Sequence, residues 1–334
     1  MSDYKYGDRT YKLTNGNYDV EFPDDIKIPE SIFKYYGKTN YSIDAIINNY
    51  LFCSHPYHLN DSIDSSSHLW NFSNLSKGIF EKFYTQYGFD KVIDIDYEKE
   101  KAYGFVPIKQ RFFEMASKDA GIISLTTKSL QTLMWAHYST ENGFMIELDW
   151  KEIKDNLKSL NPKLNNYAFF PIQYVDKLES VDFFGNRFNS PDVPYLYSTA
   201  VKRKDWSYEN EWRLMTFSLD YGVPNSIRGP FPDIPSQNER KLFYPKNAIK
   251  AIVLGKHFFN ASNLKTVIDD KTYQLKTNSD LDFVNFLHEN YNDRIYFCGE
   301  YQSGTEFKRS AEKVHFKKVD WNTIQMIREN EVYI

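Results

Sequence analysis

Three short apolar runs most constrain what this chain can fold into: Gly121-Ile122-Ile123-Ser124-Leu125, Phe144-Met145-Ile146-Glu147-Leu148 and Ala248-Ile249-Lys250-Ala251-Ile252-Val253-Leu254-Gly255. Each is short, mainly apolar and touched by glycine or a turn, so each reads as a strand. Ser31 to Tyr36 is a further aromatic strand, and Tyr50 to Ser54 another, which ends near Pro56 because proline cannot donate to a ladder. Tyr167 to Val175 is extended, and strands fall near Ile295 and His315. Helical spacing predicts a short helix at Ile43, Ile46 and Ile47, closed by Asn48-Asn49, and longer ones over 75–87, 108–118, 150–160, 195–204 and 281–290. Thr127 is placed to cap a helix whose Leu130, Leu133, Met134 and His137 share one face. Strands and helices do not alternate regularly, which argues against a doubly wound fold. The expectation is an α+β protein with a mixed or antiparallel sheet core and helical insertions. Residues 1–28 read as an N-terminal arm with a short strand at Tyr18 to Phe22. Residues 29–260 form the motif-bearing domain, and residues 261–334 an α+β extension packed on it.

Composition excludes several classes. The net charge of -4 gives no whole-chain reason to expect nucleic-acid binding, although a local basic cleft is compatible with it. Cys53 and Cys298 are far apart and neither sits in a C-x-x-C pair, which argues against a disulfide framework and fits a reducing cytoplasm. No apolar leader follows Met1, and no window approaches the length of a spanning helix, so a cytoplasmic protein without a membrane partner is expected. With 26 Tyr and 26 Phe, a tyrosine is not by itself a functional signal.

Chemistry must come from three stretches. In Phe52-Cys53-Ser54-His55-Pro56-Tyr57-His58-Leu59-Asn60-Asp61, Pro56 separates the two histidines and favours a turn over a helical metal pair. A zinc site needs three or four ligands and no second His/Cys cluster exists, so no metal is expected. Cys53 and His55 share a strand face, as a nucleophile and its base would, yet free cysteine is more often buried. Ser54, Asn60 and Asp61 are the residues to test first. In Trp206 to Arg213, strand alternation puts Glu209, Glu211 and Arg213 on one face. The like charges would raise one carboxyl unless the cation compensates. Such a pair can stabilise an oxocarbenium-like centre and position an acceptor, or simply form a salt-bridged strand face. In Leu133-Met134-Trp135-Ala136-His137-Tyr138, His137 lies on the apolar helical face. Trp135 and Tyr138 either wall a ring-binding site or fill the core. Dinucleotide, P-loop, zincin and α/β-hydrolase motifs are missing. Residues 216–240, rich in proline, read as a long binding loop on which a partner protein would dock.

Taken in order, these stretches resemble a large bacterial family of domains of unknown function. Its members carry a K-Y strand, F-S-x-P-x-x-F-N-D-P, a serine-bearing strand, M-W-x-H-Y, a G-[hydrophobic]-x-[hydrophobic]-E strand and W-x-Y-E-x-E-[W/Y]-R. Here these are Lys34-Tyr35, Phe52 to Asp61, Ile123-Ser124-Leu125, Met134 to Tyr138, Gly143 to Glu147 and Trp206 to Arg213. Leu59 and Ser62 stand where the family has Phe and Pro. A further analogy of pattern is with ADP-ribosyltransferases that use NAD. The usual His or Arg of their early strand is missing here. That analogy implies NAD as substrate, Lys34 or Tyr36 against the nucleotide, Ser54 on the nicotinamide ribose, and Glu209 or Glu211 in catalysis. His137 joins the catalytic candidates, and Trp135, Tyr138 and Arg213 the binding ones. Three readings follow. The first is an ADP-ribosyltransferase-like toxin or phage-defence effector with a protein or nucleic-acid target. The second is a nuclease using His137 and a carboxylate. The third is a non-catalytic sensor or partner-binding module.

Overall fold

The computed structural model describes residues 2–86, 96–188, 190–223, 237–276, 281–303 and 305–333. It is α+β, and the described strands assemble mainly into one mixed sheet. In chain order the strands are β1 Ser2–Tyr6, β2 Arg9–Thr14, β3 Asn17–Glu21, β4 Ser31–Tyr36, β5 Tyr50–Phe52, β6 Trp70–Asn71, β7 Ala120–Thr126, β8 Phe144–Asp149, β9 Asn166–Pro171, β10 Gln173–Val175, β11 Val181–Asp182, β12 Val201–Arg203, β13 Glu211–Phe217, β14 Lys241–Phe243, β15 Ile249–Leu254, β16 Leu264–Val267, β17 Thr272–Lys276, β18 Ile295–Ser303, β19 Glu306–Lys318 and β20 Thr323–Tyr333. The large sheet runs β16-β17-β20-β19-β18-β15-β8-β4-β7-β13-β9. Its pairs are antiparallel except β15 with β18.

The apolar runs of the sequence lie at the sheet centre. Ile32, Ile123, Leu125, Ile146, Leu148, Leu214 and Ile252 pack into one core. A second core, rich in aromatic rings, joins Phe112, Phe113, Phe170, Tyr195, Tyr197, Met215 and Phe217. All residues of β13 are buried, because cores cover both of its faces. Helices α1 Asn40–Ile47, α2 Lys77–Gln86, α3 Tyr97–Ala102, α4 Val106–Ser117, α6 Trp150–Leu160, α7 Asp192–Ala200 and α8 Leu281–Tyr291 decorate the sheet, and Thr132–Met134 forms a single turn, α5. Helix α6 starts where expected because the Asp149 side chain accepts from the Glu152 N–H.

Several expectations fail for identifiable reasons. Residues 2–21 are not a loose arm with one strand. They form the β1-β2-β3 meander, whose Tyr11 and Val20 enter the aromatic core. The helix expected over 195–204 spans Asp192–Ala200 and gives way to β12. Trp206 to Arg213 is not one strand. Lys204–Glu209 is a 3₁₀ helix, Asn210 turns at φ 43°, and the strand starts at Glu211. Thr127 does not cap the helix that follows, which starts at Thr132 with Gln131 before it. That helix tightens into α5 and then widens into a π-helix over Trp135–Ser139. Leu133 is exposed and Met134 buried in the single α turn, and in the wider π-helix that follows His137 is exposed while Trp135 and Ser139 are buried. The 75–87 helix is α2, and Tyr87 lies outside the described residues, as do 224–236 of the expected binding loop. The described strands beyond residue 260, β16 to β20, continue the central sheet, joined to it where β18 pairs with β15. Among the described residues, no helix is long and apolar enough to cross a membrane.

Candidate functional site

The site grows from a gap in the sheet. Strand β4 meets β7 at one pair, Phe33↔Thr126. Beyond it the strands part, and Ser54, just after β5, takes up pairing with β7 at Ile122. Gly121 permits this approach, since a Cβ there would lie 2.5 Å from the Cys53 Cβ. A cleft of about 320 Å³ opens at this place. Phe33, Lys34, Tyr35, Ser54, Asn60, Asp64, Ser124, His137, Tyr138, Lys202, Glu209 and Glu211 contribute to its wall. Ser54, His137, Glu209, Glu211, Lys34 and Tyr138, singled out from sequence, therefore converge on one cavity.

Its floor is a chain of charges. Lys202 Nζ lies 2.7 Å from Glu209 Oε2, 2.9 Å from Glu211 Oε2 and 3.3 Å from Asp64 Oδ2. Arg213 stands behind, donating from Nε to Glu211 Oε1 at 2.8 Å and from Nη1 to Asp64 Oδ1 at 2.8 Å. It also donates to the Thr199 carbonyl at 2.7 Å. The Tyr138 hydroxyl donates to Glu209 Oε1, and Asn60 Nδ2 donates to the Tyr138 oxygen at 3.3 Å. The αL turn at Asn210 is what lets Glu209 and Glu211 both reach one ammonium although they do not share a strand face.

The two carboxyls are pushed apart. Burial pushes Glu209 above the usual carboxyl range, and Lys202 only partly offsets it. Burial acts on Glu211 too, but Arg213 and Lys202 outweigh it and hold this carboxylate well below that range. Lys202 is likewise raised, because Glu211, Asp64 and Glu209 overcome the effect of burial. Burial brings the Lys34 ammonium down to about 8, against a smaller pull from Glu211. Lys34 donates to the Ser124 carbonyl at 2.9 Å. Two carboxyls in one cavity with separated proton affinities are the pattern of a proton carrier beside a permanent anion.

Other expected residues fall elsewhere. Trp135 is fully buried, donates its indole N–H to the Ser129 carbonyl, and packs on Tyr35. It and Tyr138 do not form one aromatic wall, because the π-helix turns them apart. Arg213 is fully buried and braces Glu211 and Asp64 from outside the cleft lining. Tyr36 lines a neighbouring cleft. His55 is buried, and its Nδ1 accepts from the Tyr57 N–H, which caps the turn at Pro56. Burial and Arg240 drive it down to about 2, so it stays neutral. Cys53 is fully buried and its thiol is pushed up, which removes it as a nucleophile. The Asp61 side chain accepts from the Ile63 N–H at 2.9 Å and shapes the turn that presents Asn60.

Sequence reasoning missed Lys202 and Asp64. Lys202 sits in Val201-Lys202-Arg203-Lys204, which reads as solvated charge on a helix, and its burial follows from the β10–β12 pairing. Asp64 lies in a serine-rich loop with no periodic signal.

A family described as "Protein of unknown function (DUF2971)" matches residues 134–214. The matched segment runs from the π-helix to β13 and so carries His137, Tyr138, Lys202, Glu209, Glu211 and Arg213. No curated protein and no solved structure matches the chain.

Proposed function

We propose that this protein is an enzyme acting on the glycosidic bond of a nucleotide, an ADP-ribosyltransferase-like consumer of NAD. The observation that carries this reading is the pair Glu209 and Glu211, bridged by Lys202 in a cleft whose wall also holds Ser54, Lys34 and Tyr138. Cleavage of such a bond builds positive charge on the sugar, while nicotinamide leaves as a neutral ring and needs no proton. A fixed anion beside the sugar lowers that barrier. Glu211, kept ionised by Arg213 and Lys202, takes this role. Glu209, with its raised proton affinity, removes the proton from the acceptor hydroxyl or water, and Tyr138 orients it. Ser54 holds the ribose at the rim.

The test is release of nicotinamide from NAD by the purified chain, with and without candidate acceptors. Glu211→Gln and Glu209→Gln are each expected to lower the rate by roughly a hundredfold or more. Intact NAD after prolonged incubation, or full activity in both variants, would end this reading.

A further inference from the structure

A second cleft of about 520 Å³ adjoins the first. Lys34 and Ser54 belong to the walls of both. Along β4, Phe33 and Tyr35 face the first cleft and Lys34 and Tyr36 the second, with Lys34 reaching across the gap to Ser124. The rest of the second cleft is aromatic, with Tyr41, Tyr50 and Phe52 around Asp44 and Lys241. Asp44 and Lys241 pair with each other at 3.1 Å, and the lysine sits over the Tyr50 ring at 4.3 Å. Two groups there have unspent capacity. The Tyr36 hydroxyl is buried without a hydrogen-bond partner among the described residues. Tyr41, by contrast, is 74% exposed and lines the same cleft, so its ring is open to a stacking partner.

Lys34 is the other anomaly. Its ammonium has a carbonyl partner but, among the described residues, no carboxylate within ion-pair distance, Glu211 being paired with Lys202 and Arg213 instead. A cation withdrawn from water with its nearest attracting carboxylate, Glu211, beyond ion-pair distance is costly, and an anionic ligand group at the junction would reduce that cost.

We infer that the joined clefts form one elongated nucleotide site, with a nucleobase among Tyr36, Tyr41 and Tyr50, and a phosphate on Lys34. The sugar beyond the phosphate then enters the Glu209 and Glu211 cleft. This rests on the reading above for what happens at that sugar, but the base and phosphate contacts stand without it.

Titration calorimetry on the full chain tests the inference with ADP and with inorganic pyrophosphate, neither of which contains a nicotinamide bond. Both ligands are expected to bind, and ADP more tightly. Tyr41→Ala, a substitution of an exposed side chain, is expected to weaken ADP by about fivefold or more and leave pyrophosphate unchanged. Lys34→Met is expected to weaken both by at least about tenfold, with its fold checked by thermal melting. Absence of ADP binding, equal affinity of Lys34→Met and the parent chain, or an equal loss for both ligands in Tyr41→Ala would overturn it. ADP binding of the expected pattern together with intact NAD would keep this site and discard the reaction.

Discussion

At Lys202 three carboxylates meet one ammonium, and Arg213 supplies the second cation that makes the group tolerable in the interior. Removing one partner leaves the others uncompensated. Asp64→Asn frees half of the Arg213 fork and is expected to destabilise the fold by about 3 kcal/mol. A denaturant melt reads this directly, and a midpoint unchanged from the parent would refute it. The same residues set the pH response. Glu211 has a depressed proton affinity in the fold, so its stabilisation is present above the ordinary value of 4.5 and is lost as pH falls through its folded value. Glu209 runs the other way, its raised affinity favouring the protonated form. As the base of the proposed reaction it must be ionised, so the rate is expected to rise with pH through a limb above 4.5. Lys34, which faces Glu211 and Cys53, loses its proton near 8, and the rate should fall beyond that. A kcat/KM profile that stays flat from pH 5 to 9 would contradict both assignments. Sequence exposed the polar residues that stand beside aromatic neighbours, namely Ser54, Glu209, Glu211 and Tyr138. It hid Lys202 and Asp64, because a lysine among basic neighbours and an aspartate among serines look solvated until tertiary pairing buries them.

At the scale of elements, position depends on two departures from regular structure. The αL residue Asn210 separates the 3₁₀ helix from β13 and directs both glutamates to Lys202. Asn210→Gly is expected to retain activity, while Asn210→Val, β-branched at positive φ, should cost about 1–2 kcal/mol and lose activity with it. Thermal melting and nicotinamide release on both variants decide this. The π-helix at Trp135–Ser139 is the second departure, and it brings Tyr138 to Glu209. The turn just after it is held by Arg309 of β19, which grips Glu141 through both terminal guanidinium nitrogens at 2.7 and 2.9 Å. Period counting could not foresee either feature. Alternation made Trp206 to Arg213 look like one strand, and a 3.6-residue period put His137 inside, because each method assumes the regularity that the site breaks. The buried strands β7, β8 and β15 were legible for the opposite reason: apolar composition and short length leave few alternatives.

For the molecule as a whole, the sheet has unlike edges. Strand β9 packs beside β3 of the N-terminal meander. At the other edge β16 is exposed along its length, with Leu264 and Val267 about half accessible. The C-terminal segment is continuous with this sheet, and Phe283, Val284, Leu287, Ile295 and Val314 belong to the main core. A chain ending at residue 260 is therefore expected to be insoluble or unfolded, since it exposes that core and the β15 edge. A soluble, cooperatively melting truncation would show that the two parts are independent. The strand order also bears on how the chain acquires its structure. Strand β4, at the sheet centre, is completed early in synthesis, but its partners β7 and β8 come roughly a hundred residues later, and the β8 partner β15 a hundred after that. The strands that bound the gap are complete by residue 126, but Lys202, Glu209 and Glu211, which floor the cavity, are made only after residue 200. The cavity is a late product of folding, and nascent or truncated forms carry its residues without its chemistry.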